Sequence, residues 1–399
     1  MKTIDSTHTI RPKAVDDISS WTLFEKKDGN IYCIGSLKKD CYIEAGKQSC
    51  SAIMTALQYF NGIHTLDEIN RQLLNIHNIR IDIIKLYTLL LKASLLENGD
   101  KSLQEKQELD IFSIKLFEAD ISRFAKILSV LLKVVFPFKL ISLPLLLFGT
   151  IAIIKSISIF ITPHSYQIAQ SYVLGVVVSA FIFSFSLGLH ELGHMAAAYK
   201  YGLIPSKLVC ALYMGIIPMI YLRIPGIYTV EPKKRIKIWA AGCFVNLNLA
   251  CAIMLILPFV NNNLSNLAIM MTIVNTSMVI TNLSPFMPLD GYFIISTILK
   301  KPNLRRGAFK EFKKFALREK NDFKGVLILY FVISAIFMAS ILLSQLVWIT
   351  KLTIDTYSNS HSIFQTLKEI KFVGILILII ISKQILNRII KNRNLNNYS

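Results

Sequence analysis

The chain has 399 residues, of which 53% are hydrophobic and only 17% charged, and its formal net charge is +19. Soluble proteins carry about 25% charged residues, so this composition excludes an ordinary soluble protein, and the length allows more than one domain. The positive charge lies in short stretches between apolar runs, with ten Lys and Arg residues from Lys300 to Lys324. Such loops stay on the cytoplasmic side of a membrane. We therefore expect contact with anionic lipid headgroups and no nucleic-acid partner.

The N-terminal part of the chain predicts a small α/β domain over residues 20–100. The first thirteen residues contain no apolar core, so no cleavable signal peptide is visible, and we expect this region to stay in the cytosol. Thr65 and Glu68, three positions apart, predict a capping box at the start of a helix. Two strands and three helices are predicted in all, at Ile31–Ser36, Tyr42–Ala45, Ser49–Phe60, 65–74 and Ile81–Leu96.

Residues 101–138 are charged and then basic and amphipathic, which predicts a linker that leads onto the membrane surface. Residues 139–399 form the predicted membrane domain. A membrane-spanning helix needs about 20 mostly apolar residues. Six segments qualify, the last of them least clearly: 139–161, 172–196, 237–260, 265–288, 326–349 and 370–387. The predicted fold class is an α-helical polytopic membrane protein with about six transmembrane helices and a small N-terminal α/β domain in the cytosol.

The charge distribution predicts the orientation of these segments. Six spans that start from a cytosolic N-terminus return the C-terminus to the cytosol. The basic stretches at 197–237, 300–324 and 388–393 then all lie inside, as Lys and Arg prefer. The sequence thus predicts a multi-pass protein of the cell membrane with both termini cytoplasmic.

One short motif carries metal chemistry. Positions 190–194 read His-Glu-Leu-Gly-His, and on a helix His190 and His194 share a face, so both imidazoles can reach one Zn²⁺. Glu191 is placed to take a proton from a metal-bound water. The eighteen residues before the motif, Tyr172–Leu189, carry no charge, and ionisable groups at the end of such a segment are costly unless they are used. The alternative is a motif that is merely solvated among the lipid headgroups.

A third ligand is predicted about a hundred positions further on. Asp290 is the only acidic residue between Glu231 and Glu311, and it closes an apolar segment. Pro285 and Pro288 interrupt the helix before it, and irregular backbone at membrane depth is tolerated only where it is buried in protein or lines a wet cavity. Two histidines and one carboxylate complete a catalytic zinc site with a position left for water. The alternative is an aspartate that caps a helix end.

These motifs together resemble the site-2 protease family of intramembrane zinc metalloproteases. The match covers residues 172–300 and consists of HELGH followed by Asn-x2-Pro-x4-Asp-Gly from Asn282 to Gly291. The resemblance implies that His190, His194 and Asp290 bind one Zn²⁺ per chain and that Glu191 is the general base. It also implies that Asn282 helps to position the substrate or the tetrahedral intermediate.

The same resemblance implies a core of three helices, at 172–196, 237–260 and 265–288. The sequence Gly242-Cys243-Phe244-Val245-Asn246 stands where the family has Gly-Pro-x-x-Asn, so Cys243 replaces a proline. The stretch 207–226 would correspond to the family's membrane-embedded hairpin, which lines the substrate as an extended strand. Arg223 lies in that stretch, and the sequence assigns it no role.

The N-terminal domain has a resemblance of its own. Two short strands, then ALQYFNGIHTLDEINRQLL, then a helix that ends in KASLLENG, are similar to the PqqD-like peptide-recognition domain, a small winged-helix-like module. The resemblance implies that a leader peptide binds as an added strand on an exposed sheet edge. The alternative is a generic small domain that packs on the protease and binds nothing.

The expected function joins these features. We expect a bacterial membrane-embedded zinc metalloendopeptidase that cleaves a precursor peptide near the cytoplasmic face, during maturation or export of a ribosomally synthesised, bacteriocin-like peptide. The first alternative is a regulated intramembrane protease that cuts a membrane-anchored regulator or a signal-peptide remnant. The second is a non-catalytic membrane scaffold or immunity protein.

Overall fold

The protein is mostly helical, with a small sheet near the N-terminus, as the sequence predicts. The structure is a computed structural model that describes residues 10–26, 29–97, 113–127, 139–156, 172–213, 217–301, 303–317 and 325–360. The chain divides into two compact units. One comprises Met1–Asp110, Phe117–Cys210 and Ile220–Pro302, and the other comprises Ile111–Leu116, Ala211–Met219 and Asn303–Ser399.

The N-terminal module, residues 10–97, combines an antiparallel sheet with three helices. The sheet has the order β1-β2-β3, with β1 at Ile18–Phe24, β2 at Ile31–Ser36 and β3 at Cys41–Gly46. Strand β1 was not predicted, because its residues Ser19, Ser20 and Thr22 interrupt the apolar pattern that marks a strand. Pairing of β2 and β3 sets Ile34 opposite Ile43 in register, so that both face the same buried core.

The three helices of the module follow the sequence pattern closely. They are α1 at Lys47–Leu57, α2 at Leu66–His77 and α3 at Ile83–Lys92. The capping box is formed as predicted, because the Thr65 hydroxyl accepts from the backbone N–H of Glu68 and the Glu68 carboxylate accepts from that of Thr65. Helix α2 buries Leu66, Ile69 and Leu73, whose spacing of three and four residues gives the helix one apolar face.

A second sheet of three strands, in the order β4-β5-β6, contains residues from distant parts of the chain. Its strands are β4 at Ser113–Asp120, β5 at Lys207–Tyr213 and β6 at Ile217–Arg223. Strand β4 lies inside the stretch 101–138 that reads as a linker, most of which falls outside the described residues. Strands β5 and β6 lie within the predicted hairpin at 207–226. A Lys207–Glu118 ion pair joins β5 to β4.

Further helices follow the module: α4 at Lys139–Lys155, α5 at Tyr172–Lys200, α6 at Pro232–Ile256, α7 at Asn262–Leu283, α8 at Asp290–Ile298, α9 at Leu304–Ala316 and α10 at Gly325–Ser360. Two helical stretches, Pro232–Phe259 and Leu264–Leu283, are long and apolar enough to cross a membrane, and shorter apolar stretches occur at Ser142–Lys155 and Gly325–Ser340. The predicted span 370–387 lies outside the described residues.

Helix α6 is the central helix of the first unit, where it packs against α4, α5, α7 and α8. Two glycines allow its neighbours to approach closely. A Cβ on Gly149 of α4 would lie 2.3 Å from Cβ of Cys251, and a Cβ on Gly193 of α5 would lie 2.8 Å from the carbonyl oxygen of Ala241. Small residues bring helix backbones together in this way, and as a result α5 and the backbone of α6 meet at the predicted metal motif.

Candidate metal centre

The HELGH motif lies on one long helix with all three of its ionisable side chains buried. His190, Glu191 and His194 belong to α5, and their residues are 3%, 8% and 6% exposed. The two histidines lie one helical turn apart, so their rings meet at a centroid distance of 4.7 Å. Their Nε2 atoms are 3.0 Å apart. The helix therefore presents two nitrogen ligands at one point in the protein interior.

Asp290 reaches the same point from the other motif. It is the first residue of α8, after the irregular segment 284–289 that the two prolines impose. The turn is tight at Gly291, where a Cβ would lie 2.2 Å from the carbonyl oxygen of Leu283. Oδ2 of Asp290 lies 3.1 Å from Nε2 of His190 and 3.2 Å from Nε2 of His194. The structure thus brings the three predicted ligands together across about a hundred positions of sequence.

The spacing of these three atoms fits a zinc ion. Zinc binds nitrogen and carboxylate oxygen at about 2.0–2.1 Å in tetrahedral geometry, which places neighbouring ligand atoms about 3.3 Å apart. The observed triangle has edges of 3.0, 3.1 and 3.2 Å. Its ligand set of two imidazoles and one carboxylate is also the kind that leaves a fourth position open for water.

Helix α6 orients the ligands from the opposite side. Nδ1 of His194 lies 2.8 Å from the carbonyl oxygen of Ile238, so this ring donates a hydrogen bond to the backbone and keeps Nε2 free for a metal. Gly242 lies directly beneath the two rings. A Cβ at that position would lie 2.5 Å from Nε2 of both His190 and His194. The backbone of α6 therefore forms one wall of the site, and only glycine fits there.

Glu191 lies beside the ligand triangle and is not one of its corners. Its Oε2 accepts a hydrogen bond of 3.1 Å from the backbone N–H of Leu222 in strand β6. A carboxylate oxygen of Glu191 lies within 4.8 Å of the ligand atoms of both histidines. That separation admits one water molecule between the carboxylate and a metal, which is the distance a general base needs.

Strand β6 presents an open edge to this carboxylate. It is the last strand of the order β4-β5-β6. The carbonyl of Arg223 accepts from the N–H of Ser206 on one side of the strand, while the N–H of Leu222 points to Glu191 on the other. Successive residues of a strand direct their backbone groups to opposite edges, so Leu222 lies on the edge of β6 that pairs with no other strand in the described residues.

Cys243 is a site residue whose contact the sequence did not predict. Its Sγ donates to Oδ2 of Asp290 at 3.6 Å, and its ligand atom lies within 4.8 Å of those of His190 and Asp290. The sequence feature that could have indicated this contact is the position of Cys243 directly after Gly242, where the site-2 protease family, which the sequence resembles, has a proline. The thiol therefore supports the orientation of the carboxylate that completes the triangle.

Asn282 is the one predicted site residue that the described contacts do not join to the others. It is half-buried near the end of α7. Within the described ranges it makes no hydrogen bond to the ligand triangle or to Glu191. Its predicted role in positioning the substrate stays a prediction.

Two fully buried polar residues deeper in the helices were missed by the sequence reasoning. Nδ2 of Asn275 in α7 donates to the hydroxyl of Ser186 in α5 at 3.0 Å and to the carbonyl of Met271 at 2.8 Å. Ser186 is four residues before His190, so it lies on the same face of α5 as the two histidines. The position of Ser186 on this face was the sequence feature that could have indicated its role. The Asn275–Ser186 hydrogen bond links α5 to α7 one helical turn from the site.

A buried arginine connects helix α6 to strand β1 of the N-terminal module. Arg235, at the start of α6, is fully buried, donates to the carbonyl of Leu23 and lies 4.9 Å from the centre of the Phe24 ring. Burial raises the pKa of the Cys33 thiol to about 12 and the pKa of the neighbouring Tyr228 phenol to about 12. Both groups are neutral at pH 7, so a carbonyl and an aromatic face stabilise the cation.

Comparisons with protein-family models, with curated proteins and with solved structures each gave no match.

Proposed function

We propose that this chain is a membrane-embedded zinc metalloendopeptidase of the site-2 protease type. One observation carries the proposal: the ligand atoms of His190, His194 and Asp290 form a triangle with edges of 3.0–3.2 Å. The carboxylate of Glu191 lies beside this triangle and is not part of it. Three ligands with a separate carboxylate are the arrangement of a hydrolytic zinc site, because a purely structural site uses four protein ligands.

In this mechanism the protein residues have separate tasks. His190, His194 and Asp290 would hold a zinc ion, which would supply Lewis-acid chemistry toward a water molecule and a carbonyl. Glu191 accepts the proton of the attacking water and returns it to the leaving amine. The N–H of Leu222 fixes the carboxylate of Glu191 in place. The open edge of β6 holds the substrate as an extended strand beside Glu191.

The membrane setting rests on the apolar helices. The stretches Pro232–Phe259 and Leu264–Leu283 suit a membrane. They contain Gly242 and lead to Asp290, while the HELGH motif lies on α5. We propose about six spans in a bacterial cell membrane with both termini cytoplasmic. Basic stretches such as 300–324 would then lie at the cytoplasmic headgroups, near the face at which cleavage occurs.

The substrate class follows from the N-terminal module. Strand β3 is an edge strand of the described sheet, so a leader peptide can add to it as a further strand. We propose that the module binds the leader of a ribosomally synthesised precursor peptide, which the site then cleaves during maturation or export. A regulated protease acting on a membrane-anchored regulator would use the same site without a leader peptide. A scaffold or immunity protein would have no use for the ligand triangle.

Zinc stoichiometry tests the proposal. In detergent-purified protein we expect about one zinc per chain in the wild type, and loss of that zinc in His190→Ala and in Asp290→Ala. His77→Ala is the matched control, because His77 bonds to Tyr59 in the N-terminal module, away from the triangle. Wild-type protein without zinc, or zinc that both site variants retain, would refute a metal centre that joins the two motifs.

A further inference from the structure

The end of strand β6 connects the N-terminal module to the predicted catalytic carboxylate. Nε of Arg223 donates to Oδ2 of Asp40 at 2.7 Å, and Nη2 donates to the carbonyl of Asp40 at 3.4 Å. The preceding residue, Leu222, donates its backbone N–H to Glu191. Two consecutive residues of one strand therefore bind the module and Glu191.

The partner of Arg223 is a rigid point of the module. Asp40 ends the tight turn between β2 and β3 and has a φ of 50°. Asp17 holds that turn, because its two carboxylate oxygens accept from the Ser36 hydroxyl at 2.6 Å and from the Lys38 N–H at 2.9 Å. The two strands that the turn joins, β2 and β3, contribute side chains to the buried core of the module. A side chain bound to Asp40 is therefore fixed to the module as a whole.

A second contact fixes the chain just beyond β6. The Tyr42 hydroxyl accepts from the N–H of Gly226 at 3.0 Å, and the Tyr42 ring packs edge-on against Tyr228 at 5.9 Å. Gly226 has a φ of 76°, and a Cβ there would lie 3.2 Å from Leu37. The segment after β6 is thus held by the same β2–β3 turn region that binds Arg223.

The Asp40–Arg223 pair is sheltered from water. The side chains are 17% and 27% exposed, and the contact combines a charge-assisted hydrogen bond with a second bond to a carbonyl, which is stronger than an exposed ion pair. In the described residues β6 pairs with a neighbouring strand on one edge only. The Arg223 side chain holds the end of this strand from the module, together with the Tyr42–Gly226 bond just beyond it.

We propose that Arg223 is a positioning residue, through which the β2–β3 turn of the N-terminal module holds strand β6 against Glu191. The module is then a structural part of the active site and not only a substrate-binding accessory. A peptide that binds on β3 acts on the same turn that sets the position of β6. The inference rests on the proposed function for the catalytic role of Glu191, but the coupling itself is a property of the fold.

Hydrogen exchange in the full-length chain tests the coupling directly. Peptides that cover β6 report the protection of the Leu222 amide. In Asp40→Asn we expect this amide to exchange roughly tenfold faster, because the charge on the turn is lost and β6 separates more often from Glu191. Asn is chosen because it tolerates the positive φ at position 40. Arg223→Gln should give the same result, and Arg223→Lys a smaller one, since Lys cannot make both bonds.

The matched control is Glu97→Gln. It removes the Lys13–Glu97 ion pair of 2.6 Å, which lies within the module and does not touch β6. Exchange of the α2 core amides near Leu73 is the internal reference, since simple unfolding of the module would accelerate exchange there too. Unchanged exchange at Leu222 in Asp40→Asn and Arg223→Gln overturns the proposal, and so does equal acceleration at Leu222 and in α2.

Kinetics provide the second measurement, with a library of internally quenched peptides as the probe. We expect kcat to fall roughly tenfold in Arg223→Gln at unchanged zinc content, with a rise in KM beside it because β6 also holds the substrate, and partial recovery in Arg223→Lys. A change in KM alone would mean that Arg223 binds substrate instead, which overturns the positioning role. If the wild type cleaves no peptide and binds no zinc, the proposed function fails, and the exchange measurement still decides the coupling.

Discussion

Gly242 shows how closely a single backbone position limits the site. A Cβ there would lie 2.5 Å from both histidine Nε2 atoms, where real side chains are never found. Gly242→Ala must therefore push α6 or the rings apart and destroy the ligand triangle. We predict that Gly242→Ala loses bound zinc, measured as metal per chain in purified protein. Gly188→Ala is the control, because a Cβ at Gly188 would meet nothing within 4 Å.

The role of Glu191 separates metal binding from catalysis. Its carboxylate accepts from the N–H of Leu222 and is not a corner of the ligand triangle. A glutamine at this position can accept the same hydrogen bond but cannot take a proton from water. We predict that Glu191→Gln keeps its zinc and loses peptide cleavage by at least about 100-fold. The measurement is zinc content together with the rate on the quenched-peptide library. A variant that keeps wild-type cleavage would contradict the assignment of the base.

For single residues, the sequence predicts the roles that follow from the residue type and its local setting. It does not predict the roles that follow from contacts with distant parts of the chain. His190, Glu191, His194 and Asp290 are recognisable because ionisable groups are rare in apolar segments. Arg223 had no role, because its partner Asp40 is 183 positions away in sequence. No local pattern encodes such a pairing, which exists only once the two segments have folded together.

Among the elements, helices were better predicted than strands. The capping box of α2 depends on residues three positions apart, so the sequence contains it completely. The sequence predicts a linker where β4 lies, because the neighbour that pairs with this strand, β5, is about ninety positions further along the chain. Strand β1 is not predicted for the same reason, because pairing with β2 and not its own residue pattern keeps Ser19 and Ser20 in a strand.

The packing of α4 on α6 depends on a glycine. A Cβ on Gly149 would lie 2.3 Å from Cβ and 2.7 Å from Cα of Cys251, so any side chain forces the two helix backbones apart. We predict that Gly149→Ala destabilises the protein by about 1–3 kcal/mol, observed as a lower midpoint of thermal unfolding in detergent. Gly188→Ala again serves as the control, and we expect no fall in its midpoint because alanine favours a helix over glycine. Equal midpoints for both variants would contradict this close packing.

For the whole molecule, bound metal should contribute to stability. The ligand triangle joins α5 to the start of α8, so zinc binds the folded protein and not the separated helices. A ligand present at a thousandfold its dissociation constant stabilises the folded state by about 4 kcal/mol. We predict that chelation lowers the thermal midpoint of the wild type and leaves that of His190→Ala unchanged. A chelator effect of equal size in both proteins would show that it acts elsewhere.

The buried arginine has a consequence for the order in which the protein assembles. Arg235 binds the carbonyl of Leu23, 212 positions earlier in the chain. During synthesis at about 5–20 residues per second, Leu23 leaves the ribosome roughly 10 to 40 s before its partner does. Throughout that interval the cluster of Leu23, Phe24 and Cys33 has its neighbours Ile31 and Tyr42 from the module but lacks Tyr228. The module can therefore complete this small cluster only after the chain has been made as far as Arg235.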